Sequence, residues 1–190
     1  MKGVVVVAGL ILCSAIYAED IPNRLIDYKA FEDQVAVVGK IRKQRRITEK
    51  GFIQMAAKRS TVILDARSTE GFNLLHVKGA THLGLPDFTA EELARIIPSK
   101  DTRILIYCNN NFLNEPMAFA TKAAPASLNL HTFNALYSYG YRNVYELGPL
   151  IDVSKAKIEF EGSLLTRGSW PMASPAAASV QRGLILKSPR

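Results

Sequence analysis

Along the chain, apolar residues gather in short blocks separated by polar, turn-forming stretches. The first block, residues 3–18, carries no charge and follows Met1-Lys2. A basic start, an apolar core and a small residue ahead of Glu19-Asp20 have the form of a secretory signal peptide cut after Ala18. The block is shorter than the roughly 20 apolar residues that cross a bilayer, which favours a cleaved leader, with an uncleaved anchor as the rival reading; no stable membrane span is expected after the cut. Residues 21–44 place Leu25, Phe31, Val35, Val38 and Ile41 on one helical stripe, with Asp27 as candidate N-cap. Thr48 opens a second short helix that runs to about residue 58.

The pattern then changes. Residues 61–65 form a continuous apolar run ending in Asp65, as expected of a strand buried on both faces. Similar runs return at 104–107 and 143–147, with a short strand near 81–83. Helices are predicted over 69–78, from an N-cap at Thr89 to a stop at Pro98, and over 127–139 with Gly140 as the stop. Residues 109–126, rich in Asn and Ala with two prolines, read as a loop. Strands alternating with helices predict an α/β domain with a mostly parallel sheet flanked by helices. Ligands of such sheets bind outside the carboxyl ends of the strands, which is where Cys108 falls.

Length and composition refine this picture. A chain of 190 residues holds one domain plus extensions. At 48% hydrophobic and 22% charged, it is not a largely disordered polymer. Of two cysteines, Cys13 lies in the leader, so Cys108 is the only one beyond it and no disulfide framework is expected. The net charge of +7 is local in origin. One source is the cluster Lys40, Arg42, Lys43, Arg45 and Arg46, which reads as a solvated helix end suited to the helix dipole. An anion- or membrane-surface role is the alternative for that cluster. The other source is the stretch after Glu161, which has no acidic residue. The expected organisation is a signal peptide over 1–18, a helical extension over 19–45, the domain over 46–153 and a largely flexible segment over 154–190. The expected destination is the periplasm or the exterior, and nucleic acid is not an expected partner.

Three stretches resemble the rhodanese homology domain. Val62-Ile63-Leu64-Asp65-Ala66-Arg67 is similar to the family's first strand with its Asp-x-Arg ending. His76-Val77-Lys78-Gly79-Ala80 is similar to its Gly-His-Ile-x-Gly-Ala motif, with Leu75 in place of the first Gly. Ile104-Leu105-Ile106-Tyr107-Cys108 and, further on, Gly140-Tyr141-Arg142-Asn143-Val144 are similar to the catalytic strand and the Gly-Tyr-x-Asn-Val strand. The resemblance implies a single rhodanese-like domain. Its Cys108 thiolate would take sulfane sulfur from a donor such as thiosulfate, hold it as a persulfide and pass it to a thiol acceptor, without cofactor or metal. Asn109, Asn110, Asn111 and Lys122 are the candidates for binding the small sulfur-containing anion. Asp65, Arg67 and His76 are the candidates for holding the fold.

The chain departs from the family in its loop. No Arg occurs between Cys108 and Arg142, and Ala126 precedes Ser127 where the family's Arg would stand. Eighteen residues separate Cys108 from Ser127, far more than a short anion cradle needs. Tyr107, not His, precedes the cysteine, so the chemistry of the phosphatase-like relatives is not expected. The leading expectation is therefore a periplasmic sulfurtransferase-like protein. The alternatives are a non-catalytic binding module whose long Asn-rich loop 109–126 contacts an envelope protein, and a redox-sensing thiol.

Overall fold

Four helices start at a side chain that takes up a free backbone N–H, a device worth about 1 kcal/mol each. Asp27 accepts from Ala30 N–H at 2.8 Å and opens α1 (Tyr28–Arg45). Thr48 does so from Gly51 at 3.1 Å for α2 (Glu49–Ala56), and Ser68 from Gly71 at 3.3 Å for α3 (Thr69–Leu74). Thr89 accepts from Glu92 at 3.1 Å for α4 (Ala90–Ile96). α5 (Leu128–Ser138) has Ser127 at its N-cap position but no side-chain cap bond there, and α6 (Ser163–Thr166) follows near the end. The computed structural model describes residues 23–166. The expected signal peptide over 1–18 and the stretch from 167 to 190 lie outside the described residues.

The strands are β1 (Arg46–Ile47), β2 (Thr61–Asp65), β3 (His76–Val77), β4 (Thr81–His82), β5 (Arg103–Tyr107), β6 (Phe112–Leu113), β7 (Val144–Leu147), β8 (Ile151–Asp152) and β9 (Phe160–Glu161). Five of them form one sheet in the order β1-β7-β5-β2-β4, with every pairing parallel. β5 is its middle strand, in register with β2 from Thr61↔Arg103 to Asp65↔Tyr107. Period two along β5 sends Ile104 and Ile106 to one face and Leu105 and Tyr107 to the other. The first face packs with Val38, Leu93, Phe133, Leu136 and Val144 from α1, α4, α5 and β7. The second packs with Phe52, Leu75, Phe112 and Phe119 from α2, the end of α3 and the stretch after Cys108.

Three expectations are corrected. First, the apolar stripe of α1 is only half used. Val38 is buried and Ile41 packs beside it, whereas Leu25 (84% exposed), Phe31 (49%) and Val35 (40%) face outward. The cause is placement. Gln34 reaches the C-terminal end of α5, donating to Asn134 O and to Ser138 Oγ at 2.9 Å each, and the residues before it overhang the domain. Second, the basic cluster is not simply a solvated helix end. Arg42 and Arg46 both pair with the buried Glu146 of β7, and the Arg45 guanidinium lies 4.5 Å from the Tyr145 ring centre. Third, the domain does not end at 153. β9 pairs antiparallel with β3, and Ile158 and Leu164 are buried in the second core face. Gly162, at φ +140°, lies so close to Leu74 O that an added Cβ would fall 2.4 Å from it.

Candidate active site

Cys108 follows β5 in extended conformation and is 1% exposed. Its N–H donates to Asn111 Oδ1 at 2.9 Å across a 3-10 turn, Asn109–Asn111. Asn111 is buried and does three jobs. Its Nδ2 donates to Leu147 O (2.8 Å) and Pro149 O (3.2 Å), and its Oδ1 also accepts from Asn129 Nδ2 (3.1 Å). One amide thus ties the ends of β5 and β7 to the first turn of α5. The backbone of the turn closes on itself, Asn111 N–H bonding Cys108 O and Phe112 N–H bonding Asn109 O. Ser127 also reaches the sulfur, its Oγ 3.4 Å from Cys108 Sγ. That hydroxyl does not cap α5, which leaves it directed at the cysteine.

The stretch 109–126 is not the unstructured loop that the sequence suggested. β6 pairs in parallel with β8, and Phe112 and Phe119 are fully buried, each worth roughly 2–3 kcal/mol in transferred apolar surface. Asn110 clasps Lys122 through a reciprocal pair, Nδ2 to Lys122 O at 2.8 Å and Lys122 N–H to Oδ1 at 2.9 Å. Asn114 adopts φ +67° and donates to Asp152 Oδ2 at 2.9 Å. Of the candidate anion binders, then, Asn110 and Asn111 direct their amide donors at backbone carbonyls. Asn109 and Lys122 line a cleft of about 670 Å³ at the carboxyl ends of β2, β4 and β5. Ala126, next to Ser127, lines it too, so the cleft reaches one residue from each partner of the Cys108–Ser127 contact.

Asp65, Arg67 and Tyr107 form a buried network behind the cleft. Arg67 Nε and Nη2 grip the Asp65 carboxylate, Nη2 also reaches Leu75 O at 2.8 Å, and Nη1 holds Ala118 O at 2.7 Å. Tyr107 donates its hydroxyl to Asp65 and accepts from Val77 N–H at 3.1 Å. Burial first, and then the Asp65 charge, push the Tyr107 phenol well above 10. His76 Nδ1 meets Phe72 O at 2.7 Å with its ring stacked on Phe72, and His82 Nε2 meets Arg67 O at 2.9 Å. Among the described residues no group of three His, Cys, Asp or Glu side chains is arranged to hold a metal. Glu115 is held above its usual range by desolvation, which the N–H groups of Met117 and Ala118 oppose.

Sequence reasoning missed Asn129, Glu146 and the two carboxylates of the cleft, Glu70 and Asp87. Glu146 had a signal: an acid inside the apolar run Val144-Tyr145-Glu146-Leu147, with a basic cluster elsewhere in the chain to meet it. The other three become visible only once the chain is folded.

A parallel α/β sheet whose middle strand leads directly into a cysteine, with a cleft lined from the next residue on, defines the class of this domain. Residues 48–148 match the family described as Rhodanese-like domain, and the chain belongs to that family. Solved structures similar to it include the following three. The rhodanese-like domain of an Anabaena protein shares 17% identity, over 68% of this chain and 88% of that one, at a TM-score of 0.49. A Bacillus halodurans protein shares 19%, over 76% and 96%, at 0.48. A rhodanese from E. coli described with anions shares 20%, over 54% and 99%, at 0.37. No curated protein matches the chain. No described helix is long and apolar enough to cross a membrane.

Proposed function

We propose that this rhodanese-like protein is a sulfurtransferase whose Cys108 accepts sulfane sulfur as a persulfide. The observation that carries the reading is the position of Cys108 at the end of the middle strand, with the Ser127 hydroxyl 3.4 Å from its sulfur and a cleft lined by their chain neighbours Asn109 and Ala126. A hydroxyl not used by the helix can donate to a thiolate or to the persulfide that replaces it. The leader-like residues 1–18 support export to the periplasm as part of the same reading. The test is mass spectrometry of the full chain after thiosulfate or polysulfide treatment. Gain of one sulfur atom at Cys108 is the expected result. No gain, where a control rhodanese gains sulfur, overturns it.

A second reading, a non-catalytic binding module, is favoured by the burial of Cys108 and by the engagement of Asn110 and Asn111 within the fold. Under it, Cys108→Ser has no effect on function in the cell. Under the first reading the same substitution abolishes it.

A further inference from the structure

We propose that the cleft beside Cys108 selects an amine-bearing alkyl persulfide over a thiosulfate-like dianion. This rests on the sulfur-acceptor reading of Cys108. The carriers of the inference are the charges and size of the cleft. Two carboxylates line it: Glu70 in the first turn of α3, and Asp87 in the turn after β4. Neither forms an ion pair among the described residues. Arg67 is also in the wall, but its guanidinium is held on Asp65 and two carbonyls, so its charge is already balanced. That leaves Lys122 as the one cation in the lining whose charge is not balanced, against two acids, all three being exposed. A dianion meets net repulsion in such a site, whereas an ammonium meets attraction.

Size and polarity agree. The cleft is about 670 Å³ and includes Leu85, Pro86, Met117 and Leu128 in its walls. That volume suits a small organic molecule, the usual range being roughly 300–1,000 Å³, and is ample for an alkyl chain beside an ammonium group. The step balances without a further reagent. The Cys108 thiolate attacks the outer sulfur of R–S–SH and a new S–S bond forms at Cys108. The donor's S–S bond breaks, RS⁻ leaves with the electron pair, and the proton stays on the transferred sulfur.

The test uses three disulfides of similar size and different charge on the full chain: cystamine, bis(2-hydroxyethyl) disulfide and dithiodiglycolate. Each rate of mixed-disulfide formation at Cys108 is read by mass spectrometry and divided by the rate with a free small thiol. Cystamine is expected to lead dithiodiglycolate by about tenfold at low salt, the gap shrinking as salt screens it. The Glu70→Gln/Asp87→Asn double variant should erase the gap, and Lys122→Gln should widen it. A lead for dithiodiglycolate, a gap unchanged in the double variant, or reaction only in unfolded protein each overturns the proposal. Sulfur uptake from polysulfide is measured on the same samples. Uptake without charge preference sinks the cleft proposal alone. Charge preference without uptake leaves the electrostatic selection standing but removes the sulfur-acceptor reading, and the persulfide assignment with it.

Discussion

Arg42 of α1 reaches across to Glu146 of β7 and meets both carboxylate oxygens, Nε at 2.9 Å and Nη2 at 2.6 Å. Arg46 adds a third contact at 3.0 Å, and Glu146 itself is 2% exposed. A carboxylate so placed depends on its partners, because removing one leaves a buried charge poorly compensated. Breaking a fully buried pair costs about 3–5 kcal/mol. Arg42 is partly exposed and Arg46 remains, so Arg42→Ala is expected to cost roughly 2–3 kcal/mol. Urea denaturation checks it: the midpoint should fall with the slope unchanged, and a midpoint within error of wild type would show that α1 is not bound this way.

The Tyr107 phenol titrates higher in the folded chain than in the unfolded one, through burial and the nearby Asp65 charge. A raised pKa gives stability that is fully present below about 10 and is lost as pH rises toward the folded value. Unfolding free energy should therefore decline above about pH 10, and the decline should be shallower in Tyr107→Phe. At neutral pH the same variant leaves Val77 N–H and Asp65 each short of a partner, for a cost of about 1–3 kcal/mol. Denaturant titrations at neutral and alkaline pH measure both effects.

Ser127→Ala separates chemistry from folding. Since the hydroxyl makes no cap bond to α5, stability should change by less than about 1 kcal/mol. Sulfur uptake at Cys108 should slow by roughly tenfold or more, the scale of one lost hydrogen bond to a charged group. Ser127→Thr should restore part of the rate. An unchanged uptake rate in Ser127→Ala would remove the hydroxyl from the mechanism.

Asn114 offers a test of the stretch after Cys108. Its φ of +67° and its bond to Asp152 are separable contributions. Asn114→Gly should keep the conformation and lose the bond, costing about 1 kcal/mol. Asn114→Ala should lose both, at about 2–3 kcal/mol. Asp152 is held below its usual range, first by the Ser154 hydroxyl and backbone and then by Asn114. Its contribution is present above about pH 4 and is lost as pH falls through the depressed value, so the difference between wild type and Asn114→Gly should narrow in acid. Thermal melts across that pH range decide the matter.

Local chemistry made much of the fold legible. The apolar runs ending at Asp65 and Tyr107 become β2 and β5, and the N-caps Asp27, Thr48 and Thr89 fall where helices begin. Asp65 and Arg67 meet each other, as two residues in one short motif can. What the sequence could not convey was long-range. The pairing of β6 with β8 joins residues nearly forty positions apart, and its strands are two residues long, too short to show any periodicity. β9 likewise becomes a strand only because β3 is there to receive it. Asn110 and Asn111 looked like free amide donors because their carbonyl partners, at Lys122, Leu147 and Pro149, are brought up by the fold.

Helix α5 sets a distance as well as a core. Ser127 at its start touches Cys108, and Ser138 at its end holds Gln34 of α1. Eleven helical residues hold those two contacts about 16 Å apart. The chain therefore enters the domain at one pole and opens its cleft at the other.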